Sequence, residues 1–311
     1  MRMQEGTKRK LSLFGTIMVV VFWGFAPLAG KYLFNVGAYS PALLIAVRGL
    51  ISTLVLGVYI LVSKRYRKIN KSYWICLPAG FVMGGAYLLQ FIGLETTSLS
   101  KNTFLESFSV IAVPLTMFIL TRNRPSIASV FASIFCFFGC FVLCGNGWDF
   151  SAFFTAPTLG DILSAVAGAL FGVNIAMTKV YGTDKDPYVY VFFLLLMMTV
   201  MSFGYALPFE KNLSYSFEFP HVMTVLFLAL VCTIGCWVLR TVCLRRVGSV
   251  TAAVLNPMSA VLATGLSMAF GMEGFSWNIV AGGLIITVSI VVSGVVDAKI
   301  EKRKPETNRE G

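Results

Sequence analysis

The sequence predicts an all-α integral membrane protein: ten transmembrane helices arranged as two inverted five-helix repeats. Three observations predict it: an apolar composition, a series of long hydrophobic runs, and internal similarity between the halves of the chain. The 311 residues are 57% hydrophobic and 13% charged. A water-soluble domain carries about 25% charged residues to solvate its surface. Half of that charge is missing here, which excludes a soluble enzyme, a disordered chain and a nucleic-acid-binding protein. Seven cysteines without framework spacing and a single histidine, His221, argue against a disulfide scaffold or a metal centre.

A helix needs roughly 20 apolar residues to cross the hydrocarbon core. Ten runs meet that need, at about 11–34, 41–63, 73–95, 102–121, 126–146, 158–181, 188–208, 221–244, 249–270 and 276–296. The gaps are short and carry breakers such as Gly37, Pro41, Pro125, Pro157, Pro187, Pro220 and Gly271. No run alternates with period two, so barrel strands are excluded. Backbone groups in lipid must then be paired within helices. The first run is long and no Ala-x-Ala site follows it, so it is expected to remain as a span rather than leave as a signal peptide.

Charge predicts orientation. With the amino terminus inside, twenty Lys and Arg fall in inner segments, chiefly the amino terminus, the 64–72 loop and the carboxyl-terminal tail. Only Lys101 and Lys211 fall outside, and Lys31, Arg48 and Arg240 lie within spans. That asymmetry follows the positive-inside rule, and it accounts for the net charge of +11 with no nucleic-acid partner. The Gly147–Phe154 stretch is rich in aromatics, and reads as a linker at head-group depth on the outer surface.

Self-comparison divides the chain at this linker. Phe22-Trp23-Gly24 through Lys31 resembles Leu170-Phe171-Gly172 through Lys179, with Lys seven residues after the glycine in both. Gly85-Ala86-Tyr87-Leu88-Leu89-Gln90 matches Gly235-Cys236-Trp237-Val238-Leu239-Arg240, so the offsets are 148 and 150. The expected units are a first repeat at 11–146 and a second at 158–296, with cytoplasmic tails at 1–10 and 297–311. Five spans per repeat send the second half into the bilayer from the opposite side, the geometry of alternating access.

These stretches are similar to the drug/metabolite transporter superfamily, EamA type. The same resemblance runs through Leu43–Gly49, Leu89–Leu94 with Thr96-Thr97-Ser98, Val113-Pro114-Leu115, Ser249–Val254, Leu255-Asn256-Pro257 and Gly271-Met272-Glu273. It covers about residues 11–296. It implies a ten-helix secondary transporter of two EamA-like repeats that exports small metabolites, with no enzymatic activity and no cofactor. The implied location is the cell (plasma) membrane of a bacterium, with both termini cytoplasmic. Arg240 stands where a neutral polar residue is usual in the family, and Asn256 where a glutamate often precedes the proline.

An ionisable side chain at mid-bilayer costs at least about 2.5–3.5 kcal/mol, so it faces a cavity or a partner. Arg48 lies about 10 Å into its span, seven residues past Pro41 at 1.5 Å each. It reads as a cavity cation or as half of a structural ion pair. Glu106 reads as a site for a coupling proton or as a partner of Arg48 or Lys31. Lys31 and Lys179 sit nearer span ends, within snorkelling reach. Asp161 reads as an acidic first turn after Thr158. The residues expected to line a substrate cavity are Trp23, Arg48, Gln90, Glu106, Asn174, Arg240 and Asn256, in a space walled by spans 1, 3, 4, 6, 8 and 9. The excess of cations points to an anionic or zwitterionic, amino-acid-like solute. Cys136, Cys140 and Cys144 share a helix face, read as packing rather than a copper site. No G-x-x-x-x-G-K-[ST] loop occurs, so ATP does not power the protein directly. The competing readings are a passive facilitator or channel and a non-transporting membrane partner.

Overall fold

The computed structural model describes residues 2–97, 99–144, 151, 158–210, 213–269 and 276–307. The expected linker at Gly147–Phe154 and the Gly271-Met272-Glu273 motif therefore lie outside the described residues, apart from Ser151. All regular structure in the described residues is helical. Seven stretches are long and apolar enough to cross a membrane: Lys10–Asn35, Pro41–Val62, Lys71–Thr96, Lys101–Thr121, Leu159–Gly182, Pro187–Phe209 and Phe219–Cys243. Three shorter apolar helices, Ile127–Leu143, Ser249–Leu262 and Trp277–Val292, follow the same pattern.

The helices are α1 (Arg2–Asn35), α2 (Pro41–Val62), α3 (Cys76–Thr96), α4 (Leu99–Glu106), α5 (Phe108–Thr121), α6 (Ile127–Cys144) and α7 (Leu159–Met177) in the first part of the chain. Then come α8 (Pro187–Phe209), α9 (Phe219–Phe227), α10 (Cys236–Cys243), α11 (Ser249–Leu255), α12 (Met258–Ala269) and α13 (Trp277–Thr307). Proline at the first turn starts α2 and α8, where its missing N–H has no intrahelical partner to lose. Thr158 and Asp161 form a reciprocal capping box that starts α7, and Lys101 pairs with the same carboxylate at 2.6 Å.

The two halves interleave. The closest packings are α6 with α13, α3 with α7 and α8, α2 with α8, α5 with α7, and α1 with α10 and α12. Glycines set the tightest crossings, because backbones meet where a Cβ would intrude. A Cβ on Gly282 would lie 2.4 Å from the Leu143 backbone nitrogen, where α13 crosses α6. A Cβ on Gly168 would lie 2.5 Å from the Leu105 carbonyl and 2.7 Å from that of Glu106. Gly168 thus lets the end of α4 rest directly on α7, and so fixes where Glu106 emerges.

Two runs that read as single helices in the sequence are broken. The first breaks between α4 and α5 at Ser107, the second between α11 and α12 at Asn256-Pro257. At both, the backbone tightens to three-residue hydrogen bonds: Ser107 N–H to Phe104 C=O at 2.9 Å, and Asn256 N–H to Ala253 C=O at 3.1 Å. Pro257 removes a donor at its break. At the other, the Ser107 hydroxyl also donates to the Phe104 carbonyl, the back-bonding that bends helices. Pro114 and Pro27, by contrast, sit inside continuous helices. Between α9 and α10 the chain widens into a π-helix at Leu228–Gly235. From this stretch the Cys232 carbonyl accepts the Trp23 indole N–H at 2.9 Å.

Polar links fasten α2 to α8 at both ends. At the start of α2, the Glu210 carboxylate accepts from the Ser40 hydroxyl and the Ala42 amide, each at 2.7 Å. At its far end, Arg65 and Lys68 pair with Asp186 at 2.6 and 2.8 Å. Burial alone would raise the Asp186 carboxyl, but its bonds to Lys68 and Arg65 outweigh that and hold it below the usual carboxylate range.

Candidate functional site

A cavity at the centre of the bundle is walled by Trp23, Ala26 and Pro27 of α1, Arg48 of α2, and Tyr87, Gln90 and Phe91 of α3. Thr103 and Glu106 of α4, Phe171 and Ile175 of α7, Trp237 and Arg240 of α10, Asn256 and Ser259 complete it. Its open space is about 700 Å³ with the mouth included, of which about 50 Å³ admits the centre of a water molecule. Only the second figure compares with the roughly 300–1,000 Å³ of small-molecule sites, and it falls well below them. The second is room for a few waters, so the side chains crowd inward. A smaller polar recess, lined by Thr103, Glu106, Ser107, Ser109, Asn256, Pro257 and Ser259, adjoins it at the two helix breaks.

The side chains are held from behind. Arg48 is 1% exposed; its Nε donates to Thr233 Oγ1 at 3.2 Å, on the π-helical stretch. Its guanidinium lies over the rings of Tyr87 and Phe91, at 4.8 and 5.5 Å. Arg240, also 1% exposed, lies over Trp23 at 4.8 Å and Trp237 at 5.9 Å. Its Nη1 donates to Asn256 Oδ1 at 3.0 Å. Gln90 Nε2 donates to Glu106 Oε2 at 2.7 Å, and the Trp237 indole donates to Tyr87 Oη at 2.9 Å. Arg48 Nη1 and Arg240 Nε and Nη2 are buried with no hydrogen-bond partner among the described residues. Such groups are costly and call for an explanation. Neither arginine forms an ion pair with Glu106, although all three line the same cavity.

Six of the seven expected residues are therefore brought together: Trp23, Arg48, Gln90, Glu106, Arg240 and Asn256. Asn174 is not among them. It is fully buried, and its Nδ2 donates to the Ala79 carbonyl at 2.9 Å, so it pins α7 to α3. Glu106 pairs with Gln90 and not with Arg48 or Lys31. Lys31 donates to the Leu94 carbonyl at 2.9 Å, and Lys179 to the Leu244 and Val247 carbonyls, so both act as end-of-helix ties. Selecting on polarity missed Tyr87 and Trp237, although the internal repeat sets them opposite each other. Cys136 and Cys140 are buried among the residues where α6 packs on α13.

The repeat is visible in the site itself. The Gln90–Glu106 and Arg240–Asn256 bonds each span sixteen residues, and the Trp237–Tyr87 bond spans 150. A sequence model of the EamA-like transporter family matches residues 10–145 and again 158–295. The chain belongs to the EamA-like transporter family. This EamA protein is accordingly a multi-pass membrane protein of the drug/metabolite transporter superfamily, built from two copies of one unit. Among solved structures it is similar to one titled "Crystal structure of protein", with a TM-score of 0.72 and 16% identity over 93% of this chain and 99% of the other. At that identity the likeness concerns the fold alone. No curated protein matches the chain.

Proposed function

We propose that this EamA protein is a secondary carrier that exports small anionic or zwitterionic, amino-acid-like solutes by alternating access. The single observation that carries the reading is the pair of buried arginines, each with N–H groups lacking an acceptor among the described residues, that line a central cavity between the repeats. A buried guanidinium without a full set of acceptors is costly in a membrane, and an anionic group of a solute supplies those acceptors. The ring faces of Trp23, Trp237, Tyr87 and Phe91 hold the two guanidiniums in place, which limits the ordering cost of binding.

Alternation follows from symmetry. The seven long apolar stretches and three shorter ones make ten crossings in this reading, with both termini cytoplasmic as the Lys and Arg distribution requires. Each repeat then enters from the opposite side. Exchanging the conformations of the two repeats opens the cavity to the other compartment. Helix breaks at Ser107 and Asn256-Pro257 border the cavity and supply the bending points. Glu106 is the one carboxylate among the described cavity residues, and is the seat for a coupling proton.

Counterflow in proteoliposomes tests the carrier reading. Vesicles preloaded with a transported solute are expected to accelerate uptake of the labelled solute well above that of empty vesicles. Passive flux with no stimulation by internal solute would favour a channel and overturn the proposal.

A further inference from the structure

We propose that the cavity is built for an anionic amino acid, a solute carrying one ammonium and two carboxylate groups. This narrows the substrate of the carrier reading above and rests on it. Three charged side chains line the cavity: Arg48, Arg240 and Glu106. They come from three separate elements, α2, α10 and the end of α4, and so surround the space. None of them forms an ion pair among the described residues.

Each charge has unused bonding capacity. Arg48 keeps Nη1 open and Arg240 keeps Nε and Nη2 open. Glu106 holds Gln90 on Oε2, and its other oxygen makes no hydrogen bond within the described residues. Charges this deep are stable only when paired with good geometry. Arg240 and Glu106 attract each other only from beyond contact distance, and each of the three charges is backed by a neutral group: Thr233 behind Arg48, Gln90 behind Glu106, Asn256 behind Arg240. The pattern is a receptor with two cationic points and one anionic point.

Ligand classes sort by how many of these points they meet. A neutral amino acid satisfies Glu106 and one arginine and leaves the other guanidinium buried and unpaired. A dicarboxylate satisfies both arginines but brings no cation to Glu106. A polyamine satisfies only Glu106 and is repelled by two cations. An anionic amino acid meets all three, and its net charge of minus one cancels the cavity's plus one. Removing one charged group from a ligand strands its buried partner, so the preference for the complete set is steep.

The test uses the purified full-length protein in nanodiscs, with equilibrium binding of L-glutamate and L-aspartate against single-charge deletions. L-glutamine and L-asparagine lack the second carboxylate; glutarate and succinate lack the ammonium. The acidic amino acids are expected to bind at least about tenfold tighter than either class. Arg48→Gln is expected to erase the preference for glutamate over glutamine, and Glu106→Gln the preference for glutamate over glutarate. Equal or tighter binding of glutamine or glutarate by the unaltered protein would overturn the proposal, whether or not the variants fold. Counterflow of labelled cell metabolites in the same preparation separates the two levels of the argument. Exchange of some other solute without acidic amino acid binding removes the substrate class and leaves the carrier. Absence of any exchange removes both.

Discussion

The two repeats agree at their edges and differ at their centre. At the edges, Lys31 reaches the Leu94 carbonyl and Lys179 the Leu244 carbonyl, one tie in each repeat. Both repeats also break a helix beside the cavity, at Ser107 and at Asn256-Pro257. At the centre, one wall carries a neutral donor on an acid, Gln90 on Glu106, and the facing wall a cation on a neutral acceptor, Arg240 on Asn256. The ring positions differ likewise, Tyr87 in the first repeat and Trp237 in the second. The lesson is one of division of labour. Under the carrier proposal, what must be symmetrical for the two repeats to exchange conformations is kept alike, while the groups that would face the solute are free to be unequal. A solute with unlike ends needs unlike walls.

The strongest way to break the comparison is to make the walls equal. Arg240→Gln places on the second wall the residue that the first already has. It is expected to lower exchange of an anionic solute by about a hundredfold or more, since losing a buried charged contact costs roughly 3 kcal/mol. Gln90→Ala removes only a neutral donor and is expected to cost about fivefold, near 1 kcal/mol. Initial exchange rates in proteoliposomes measure both, and equal losses would mean that the walls are energetically alike.

The repeat-related glycines Gly24 and Gly172 sharpen the comparison on the packing side. A Cβ at Gly172 would lie 2.6 Å from Ala112 Cβ and 2.8 Å from the Ser109 carbonyl, whereas one at Gly24 would lie 3.3 Å from its nearest neighbours. Gly172→Ala is therefore expected to destabilise by about 1–3 kcal/mol, and Gly24→Ala by clearly less. Thermal unfolding in detergent ranks them, and the opposite order would show that α1, not α7, is the tighter crossing.

The smallest expected effect concerns the ends of α2. Asp186 holds Arg65 and Lys68 with its carboxyl below the usual range. A depressed folded-state pKa stabilises above the unfolded value, near 3.9 for aspartate, and the contribution fades as pH falls through the folded one. Lys68 is 60% exposed, so solvent screening limits the gain to about 1 kcal/mol. Asp186→Asn is expected to lower the melting temperature by a few degrees at neutral pH, and the difference from the parent to shrink under acid. A difference that grows under acid would contradict the assignment.

Much of this was legible in the sequence. Run length and charge gave the helical membrane class, and the Trp23–Lys31 and Tyr87–Arg240 matches exposed the duplication that the family match bears out. Polar residues deep in apolar runs pointed to six cavity positions because burial in lipid leaves them nowhere else to go. Asn174 lies away from the cavity because its Nδ2 found a backbone acceptor, the Ala79 carbonyl, and sequence does not show which acceptor lies nearby. The break at Ser107 was hidden because serine is no helix breaker on its own. The π-helix at Leu228–Gly235 depends on packing across to Trp23 and Arg48 and leaves no local mark.

The most direct test of the account is access to the cavity from both sides of the membrane. Ala26 lines it and is nearly buried, so Ala26→Cys in a background without native cysteines offers a single small reporter. In oriented vesicles, a membrane-impermeant thiol reagent is expected to label this cysteine from either face, and saturating solute to slow both reactions. Labelling from one face only, under all conditions, would contradict a cavity that two mirrored halves open in turn.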